Sequence, residues 1–339
     1  MAMIVELSKP IEIGPVRMRN RVFLAPLSGV SDLPMRQLAW RHGAGLVVTE
    51  MVASREFCKE TRQSMQRALF PDDGSPRMMQ LAGTQPHWMA EAAKLAVDHG
   101  AEVIDINMGC PAKKVVGVQS GSALMRDLDH ALTLIEATVH AVPVPVTLKM
   151  RLGWSREMMN APELARRTVD AGVQMITVHG RTRDQFYEGT ADWQSVRQVR
   201  DAIGPEVPLV INGDIDSFGA AQRALEQSGA DAVMVGRAAC GRPWFPAQLA
   251  GAAEDVPEPD EYAAYVVAHY DAILDHYGGF TGIRNARKHL GWYLDKLAPL
   301  TPATLRSTIL REKDASNVRA LLMEAFDPVV PISSRQRAA

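Results

Sequence analysis

The chain has 339 residues, of which 47% are hydrophobic and 22% charged, and its formal net charge at pH 7 is −2. These values are typical of an ordinary soluble globular protein, long enough for one large domain and a smaller one. A net charge near zero excludes a global basic field that would attract nucleic acid non-specifically. The three cysteines form no C-x-x-C pair, so we expect neither a disulfide framework nor a metal site.

The N-terminal residues contain no targeting signal that we recognise. In MAMIVELSKPIEIG an acid and a proline stand where a signal peptide needs an apolar core. No apolar run approaches the roughly 18 residues that a membrane-spanning helix needs. We therefore expect a cytoplasmic protein without a membrane span.

Eight short apolar runs predict strands, and a helix-like stretch follows each of them. The runs are RVFLAP (21–26), LVVTE (46–50), RMMQLAG (77–83), EVIDINMG (102–109), PVTLKMR (145–151), QMITVHGR (174–181), PLVINGD (208–214) and DAVMVGR (231–237). Near-continuous apolar strands are typical of a parallel sheet that is buried on both faces. Eight β-α units in about 240 residues predict a (β/α)8 TIM barrel. A doubly wound sheet is disfavoured because no G-x-G-x-x-G follows the first strand.

The pattern changes after the Pro- and acid-rich stretch AAEDVPEPDE (252–261), beyond which we predict helices without strands. Residues 281–321 contain eight Lys or Arg against three acids, so this segment carries a charge of about +5. The sequence therefore predicts a barrel domain over 1–252 and a small all-helical domain over 253–330. A flexible tail is expected over 331–339.

Polar residues stand at the C-terminal ends of the predicted strands, where barrels of this kind carry their chemistry. In chain order they are Pro26-Leu27-Ser28, Glu50, Gln80, Asn107 with Cys110, Lys149 with Arg151, His179 with Arg181, Asn212-Gly213-Asp214 and Gly236-Arg237. Any one of them has an ordinary structural explanation. Their shared position at one rim predicts an active site.

Three features of this rim suggest particular chemistry. Gly236 and Arg237 follow the last strand, where backbone N–H groups commonly hold a phosphate. Lys149 interrupts an apolar strand, so it is a Schiff-base nucleophile, the partner of an anionic cofactor, or one half of an ion pair with Asp105 or Glu50. Cys110, in a loop at the rim, is a nucleophile, a proton donor, or a small apolar filler.

The chain resembles the tRNA-dihydrouridine synthase family, particularly its B-type bacterial branch, over nearly its whole length. The most specific string is DINMGCPAKKV, and IGPVRMRNRVFLAPLSGVSD, GAGLVVTEM, VTLKMRLGW, TVHGRTR, INGDI, VGRAACGRPWF and YGGFTGIRNARKHLGWYL support it. The resemblance implies a bound FMN, with NADPH (or NADH) as the reductant and tRNA as the substrate. It also implies a monomer that needs no protein partner.

Carried over by position, the resemblance implies a role for each residue of the site. Cys110 matches the catalytic general acid. The FMN site falls on Pro26, Leu27, Ser28, Gln80, Lys149, His179, Asn212, Gly213, Asp214, Gly236 and Arg237. The tRNA contacts fall on Asn107, Lys113, Lys114 and Arg181, and on Arg284, Arg287 and Lys288 of the basic helical segment.

The implied reaction saturates the C5–C6 bond of a uridine. Hydride passes from flavin N5 to C6, and Cys110 delivers a proton to C5 from the opposite face. Since stacking hides both faces of the ring, the nucleotide must be turned out of the tRNA. Three alternatives stay open: an FMN barrel reductase of a small molecule, a Schiff-base lyase that uses Lys149, and an RNA-binding protein without catalysis.

Overall fold

A parallel barrel makes up most of the computed structural model, which describes residues 5–326. The strands are β1 (Ile11–Ile13), β2 (Val16–Met18), β3 (Val22–Leu24), β4 (Leu46–Val47), β5 (Val52–Ala53), β6 (Met78–Ala82), β7 (Val103–Met108), β8 (Val146–Arg151), β9 (Ile176–His179), β10 (Leu209–Asn212) and β11 (Ala232–Val235). One parallel sheet has the order β4-β3-β11-β10-β9-β8-β7-β6-β5. Each of the eight predicted runs contains a strand of this sheet.

β4 and β5 are two parts of one interrupted strand, and they close the barrel between β3 and β6. β4 pairs in parallel with β3, and β5 pairs in parallel with β6. Between them, Val48 forms an isolated parallel bridge with Met78 at the start of β6. Counted as one strand, β4 and β5 bring the number of barrel strands to eight. The predicted (β/α)8 TIM barrel with a C-terminal helical region is therefore confirmed.

An antiparallel hairpin of β1 and β2, which the sequence analysis did not predict, closes the N-terminal end of the barrel. Its Ile13 and Met18 are fully buried. They belong to one cluster with Met78, Val103 and Met175, which lie at the beginnings of barrel strands or just before them. The hairpin thus covers apolar surface that the short strands would otherwise expose to water.

The barrel interior changes from apolar to polar along the strands. In β7 the alternate residues are Val103, Asp105 and Asn107, and all three are buried. Because side chains alternate across a strand, these three point to the same face of the sheet. The apolar end gives stability, and the polar end faces the rim where the site residues were predicted.

The helices of the barrel are α1 (Leu33–Arg41), α2 (Ser54–Cys58), α3 (Arg62–Ala68), α4 (Pro86–Asp98), α5 (Lys113–Val116), α6 (Leu128–Ala141), α7 (Ala161–Asp170), α8 (Trp193–Ile203), α9 (Phe218–Ser228) and α10 (Phe245–Ala250). Side chains of Asp32, Asp127 and Ser217 cap α1, α6 and α9 by accepting backbone N–H groups. Among the helices within residues 5–326, none is long and apolar enough to cross a membrane.

Four further helices follow, namely α11 (Tyr262–Tyr277), α12 (Gly279–Leu297), α13 (Ala303–Arg311) and α14 (Ala315–Phe326). They share an apolar cluster of their own, which includes Val266, Leu290 and Leu322. His42 of the barrel contacts this unit, since its Nε2 lies 2.7 Å from the Tyr265 hydroxyl. The predicted boundary at residue 252 falls between α10 and α11, and the division into two domains stays a prediction. The tail predicted over 331–339 lies outside the described residues.

Candidate active site

The C-terminal ends of the strands bring most of the predicted site residues to one rim. Gln80 lies in β6, Asn107 in β7 and Lys149 in β8, while His179 and Asn212 end β9 and β10. Pro26, Leu27 and Ser28 follow β3, Gly213 and Asp214 follow β10, and Gly236 and Arg237 follow β11. Asn107 is the register partner of Lys149, and His179 that of Asn212. The predicted residues therefore share one end of the barrel.

Cys110 lies two residues beyond β7, in a loop whose backbone is firmly held. The Oδ1 atom of Asn107 accepts the backbone N–H groups of Gly109 at 3.2 Å and of Cys110 at 3.0 Å. The Cys110 carbonyl accepts the N–H of Ser122 at 3.1 Å and its hydroxyl at 2.9 Å. The Cys110 thiol is free and its residue is partly exposed. This loop presents a thiol at the rim from a backbone of fixed geometry.

The ammonium group of Lys149 is hydrogen-bonded to a neutral amide. Its Nζ donates to Asn212 Oδ1 at 3.2 Å. Asn212 is oriented in turn, since its Nδ2 donates to the Met234 carbonyl at 2.8 Å. Burial lowers the pKa of Lys149 from 10.5 to about 8, and the Arg151 charge adds to the lowering. The lysine is thus a desolvated cation for which Asn212 supplies no counter-charge. An anionic ligand at the rim would stabilise it.

His179 is a neutral imidazole. Burial, followed by the positive charges of Arg151 and Lys149, holds its pKa well below the usual 6.5. The Nη1 atom of Arg181 lies 3.3 Å from His179 Nε2 and can only donate, so Nε2 is the acceptor nitrogen and Nδ1 carries the proton. His179 can therefore donate a hydrogen bond from Nδ1 without adding charge.

Gly213 is a glycine for two reasons, both visible in the structure. Its φ is +113°, a conformation that other L-residues rarely adopt. A Cβ atom there would also lie 2.8 Å from His179 Cδ2 and 2.9 Å from the Ala191 Cβ. The glycine thus allows the β10 loop to pass directly beside the imidazole.

Asp214 connects the two arginines that follow β9 and β11. Its Oδ2 accepts from Arg181 Nη2 at 2.5 Å and from the Ala191 N–H at 2.7 Å, and its Oδ1 lies 3.4 Å from Arg237 Nη2. The Arg237 side chain is 61% exposed. A Cβ added to Gly236 would lie in ordinary van der Waals contact with Leu27 Cδ2 at 3.8 Å, so the Gly236 backbone adjoins the loop after β3. A backbone N–H beside an exposed guanidinium can hold a phosphate.

The loop after β3 is fixed by its own hydrogen bonds. The Leu27 N–H donates to Ser31 Oγ at 2.8 Å, and the Gly29 N–H donates to Glu50 Oε1. Leu27 packs beside the barrel interior and lies nearest to Gly236, while Ser28 is exposed. This loop and the Gly236 backbone thus form neighbouring parts of the rim.

The residues predicted to contact tRNA differ in their exposure and in their hydrogen bonds within the protein. Lys113 is exposed at the start of α5, and Arg284 is exposed on α12. Lys288 is partly buried, with its Nζ 3.5 Å from the position of a Cβ on Gly29. Arg287 Nη2 lies 3.3 Å from the carbonyls of Arg311 and Glu312 at the end of α13. The side chain of Lys114 lies outside the described part of the structure.

Arg181 is buried, with internal partners for its guanidinium. Its Nε donates to the Glu188 carbonyl at 3.0 Å and its Nη2 to the Gly189 carbonyl at 2.7 Å, in addition to the bond with Asp214. These contacts fix the loop after β9. The predicted tRNA contact of Arg181 stays a prediction.

Arg151 was predicted to lie at the rim with Lys149, but it was assigned no role in binding FMN or tRNA. It is 1% exposed, and it joins two loops of the rim. Its Nε donates to the Gly109 carbonyl at 2.8 Å, and its Nη1 donates to the carbonyls of Thr182 at 2.8 Å and Phe186 at 2.9 Å. The available signal was its position two residues after Lys149 in one strand, which places both side chains on the same face.

The remaining cysteines were given no role in the predicted site, although the Cys240 N–H donates to the Arg237 carbonyl at 3.0 Å. Cys58 has its Sγ 3.9 Å from the Trp88 carbonyl, and burial raises its pKa. Cys240 is buried, which raises its pKa to about 11. Within residues 5–326, no group of three or more His, Cys, Asp or Glu side chains could hold a metal ion.

Solved structures with a similar fold include two amine-oxidising enzymes. One is histamine dehydrogenase from Rhizobium sp. 4-9, with a TM-score of 0.56 and 16% identity over 78% of this chain. The other is 6-hydroxypseudooxynicotine amine oxidase from Pseudomonas geniculata N1, with a TM-score of 0.57 and 13% identity over 79% of this chain. The chain spans about half the length of each, 51% and 52%. At these identities the likeness supports the barrel fold alone.

Sequence relatives have much higher identity to this chain and match more than nine-tenths of its length. The family model Dihydrouridine synthase (Dus) matches residues 23–328. A probable tRNA-dihydrouridine synthase of Rhizobium leguminosarum bv. phaseoli is 59% identical over 91% of this chain and 96% of its own length. tRNA-dihydrouridine synthase B of Xanthomonas campestris pv. campestris is 44% identical over 94% of this chain and 97% of its own length. The resemblance found in the sequence is confirmed, and the chain belongs to the dihydrouridine synthase family.

Proposed function

We propose that this chain is a tRNA-dihydrouridine synthase, which uses a bound FMN and NADPH to saturate the C5–C6 bond of particular uridines in tRNA. The observation that carries the proposal is the Cys110 thiol, which a fixed loop presents at the rim that Lys149 and His179 also line. The names of the sequence relatives agree with this activity.

The rim residues fit a flavin mononucleotide. Such a ligand has an anionic end and a ring that becomes anionic on reduction, and both need cationic partners. Gly236 and Arg237 would hold the phosphate, and the Lys149 ammonium would lie against the ring. When bound, FMN supplies the chemistry of hydride transfer from NADPH to C6 of the uracil. The neutral His179 and the amide of Gln80 would orient the ring without adding charge.

Cys110 would act as the general acid that protonates C5. A thiol is suited to this role because its S–H can give a proton to C5, and solvent can then return a proton to the resulting thiolate. The Cys110 N–H donates to Asn107 Oδ1 and the Cys110 carbonyl accepts from the Ser122 hydroxyl, so the direction of proton delivery is set before the substrate binds. Lys113 lies three residues further along, where it would meet the phosphates beside the flipped nucleotide.

The decisive experiment measures dihydrouridine by mass spectrometry after incubation of the purified protein with unmodified tRNA and NADPH. We expect a yellow protein that releases FMN and forms dihydrouridine at discrete positions. With NADPH deuterated at C4, deuterium should appear at C6, whereas in D2O it should appear at C5. A colourless protein, or tRNA without dihydrouridine, would refute the proposal.

Two controls separate the rival activities. A small-molecule reductase of the same fold would reduce free uridine, orotate or an enone faster than it reduces tRNA. A lyase that uses Lys149 would be trapped as a covalent adduct by borohydride and substrate. We expect neither result. In cells that lack the gene, at least one dihydrouridine position should disappear from tRNA.

A further inference from the structure

A continuous chain of hydrogen bonds crosses three barrel strands and ends at the backbone of Cys110. Thr147 Oγ1 in β8 donates to Asp105 Oδ1 at 2.6 Å. In β6, Gln80 Nε2 donates to Asp105 Oδ2 at 2.6 Å. In β7, Asn107 Nδ2 donates to Gln80 Oε1 at 2.7 Å, and its Oδ1 accepts the N–H groups of Gly109 and Cys110. Asp105 is the acceptor at which the hydrogen bonds from Thr147 and Gln80 meet.

The direction of every bond in the chain is determined by the protein backbone. A backbone N–H can only donate, so the atom of Asn107 that faces Cys110 must be its oxygen. The Asn107 nitrogen therefore faces Gln80, and Gln80 must present its oxygen to Asn107 and its nitrogen to Asp105. The sequence of donors and acceptors thus requires an acceptor at position 105, which a carboxylate supplies.

The chain is buried, so water does not substitute for its members. Gln80 and Thr147 are 0% exposed, Asp105 is 2% exposed, and Asn107 is 7% exposed. Burial raises the pKa of Asp105, while the bonds from Gln80 and Thr147 oppose that rise. A buried donor that loses its acceptor destabilises the fold, so a neighbouring amide rotates where it can to supply a new acceptor. The orientation of each amide therefore depends on the next member of the chain.

The opposite side of the same peptide is held independently. Arg151 Nε donates to the Gly109 carbonyl at 2.8 Å, while Asn107 takes the N–H of Cys110 from that same peptide group. Both the carbonyl oxygen and the N–H group of the Gly109–Cys110 peptide are thus held by side chains. A rotation of the Asn107 amide would release the N–H side while the carbonyl stays bound.

We infer that Asp105 is a positioning residue, which acts through Gln80 and Asn107 to fix the backbone from which Cys110 presents its thiol. The inference rests on the proposed function only for its catalytic consequence. The hydrogen-bonded geometry is a property of the protein alone, so it can be tested without tRNA.

The first test compares two variants of Asp105 that differ in the acceptor. Asp105→Asn keeps an oxygen for Gln80, because its nitrogen can turn toward the Thr147 hydroxyl, which also accepts. Asp105→Leu is similar in size and leaves Gln80 without an acceptor. The readout is the rate at which iodoacetamide alkylates Cys110, followed on the Cys110 peptide by mass spectrometry. We expect Asp105→Leu to change this rate at least several-fold and Asp105→Asn to leave it close to wild type.

The second test reverses the direction of the chain. Asn107→Asp alone places a carboxylate oxygen against Gln80, which must turn and then presents its own oxygen to Asp105. Adding Asp105→Asn restores a donor at position 105, so every bond can form again in the opposite sense. We expect the double variant to regain at least half of the loss in thermal stability, and of the change in Cys110 alkylation, that Asn107→Asp causes alone. Independent roles would instead make the two losses add.

A threonine pair provides the matched control. Thr147→Val removes a donor from Asp105, whereas Thr177→Val removes a buried hydroxyl on the neighbouring strand that has no hydrogen-bond partner among the described residues. Because Asp105 still accepts from Gln80 in both variants, we expect both to be alkylated at Cys110 at close to the wild-type rate. An effect of either valine as large as that of Asp105→Leu, or no rescue in the double variant, would overturn the inference. If the purified wild-type protein forms no dihydrouridine but the rescue is seen, the positioning role holds and only the proposed function fails.

Discussion

At the scale of single residues, the proposed reaction predicts that Cys110 is needed for one half of the chemistry only. Cys110→Ala should bind FMN and oxidise NADPH as the wild type does, because the residues proposed to bind the flavin are on other strands. Its uridine reduction should fall by about 100-fold or more, the range that general acids contribute. Stopped-flow reoxidation of the reduced flavin by tRNA measures this directly.

Cys110→Ser is the matched control for size. A hydroxyl is a much weaker acid than a thiol, so the serine variant should resemble the alanine variant in rate while it keeps the loop contacts of the wild type. Loss of FMN from either variant would mean that Cys110 has a structural role instead.

We expect the charge of Lys149 to lower the stability of the flavin-free protein while it strengthens FMN binding. Its pKa falls from 10.5 when unfolded to about 8 in the fold, so the unfolded chain binds more protons between these values, and stability rises with pH across this window. Below pH 8 the charged lysine costs stability on the order of 3 kcal/mol. Flavin-free Lys149→Met should therefore be more stable than flavin-free wild type at pH 7, and the difference should shrink between pH 8 and 10.

Urea unfolding of both flavin-free proteins at several pH values measures this difference in free energy of unfolding. Other titrating groups contribute equally to both proteins, so the way the difference changes with pH reports Lys149 alone. The same variant should bind FMN more weakly. A Lys149→Met protein that is less stable at pH 7 and keeps its FMN would show that the lysine has an internal counter-charge.

The residue types of the site could be predicted, but their partners could not. Lys149 and Cys110 stand out because each interrupts a pattern, a charge within an apolar strand and a cysteine in a rim loop. Asp105 did not stand out, since its role depends on register with Gln80 and Thr147 on the adjacent strands. The register between neighbouring strands depends on the whole barrel and leaves no local trace in the sequence.

At the scale of elements, the strands that run through the buried sheet were predictable, while the shortest ones were not. Buried parallel strands such as β7 and β8 read as apolar runs because both of their faces are covered. β1 and β2 have three residues each, too few for a pattern, and their burial depends on the open end of the barrel. β5 was missed because the strand is interrupted between Val47 and Val52.

Replacing Gly213, in the loop after β10, with alanine should destabilise the protein for two separate reasons. Gly213→Ala must adopt a positive φ and also place a methyl group against His179. Gly204→Ala carries the conformational cost alone, because its φ is +70° and no atom lies within 4 Å of the new Cβ. We expect about 1 kcal/mol of destabilisation for Gly204→Ala and clearly more for Gly213→Ala, measured by urea unfolding. Equal losses would mean that the imidazole moves aside freely.

At the scale of the whole molecule, the helical unit contacts the barrel beside the predicted flavin loop. Lys288 of α12 lies near Gly29, and Asp32 and Glu50 of the same region attract it. On the other side of the unit, Tyr265 contacts His42 and Trp244 of the barrel. The helices that carry the positive segment thus have a fixed position relative to the rim, which an RNA bound to both would require.

Two arginines one turn apart on α12 should therefore separate RNA binding from folding. Arg284 is exposed, so Arg284→Ala should leave the melting temperature unchanged and weaken tRNA binding. Its loss should also reduce the slope of log K against log salt concentration by about one, as expected for one phosphate contact.

Arg287 donates to the two carbonyls that end α13, so Arg287→Ala should lower the melting temperature of the protein. Salt-dependent filter binding and thermal unfolding of both variants distinguish the two roles. If Arg284→Ala left both affinity and salt slope unchanged, the bound tRNA would make no phosphate contact with Arg284, and the exposed face of α12 would not be part of the RNA-binding surface.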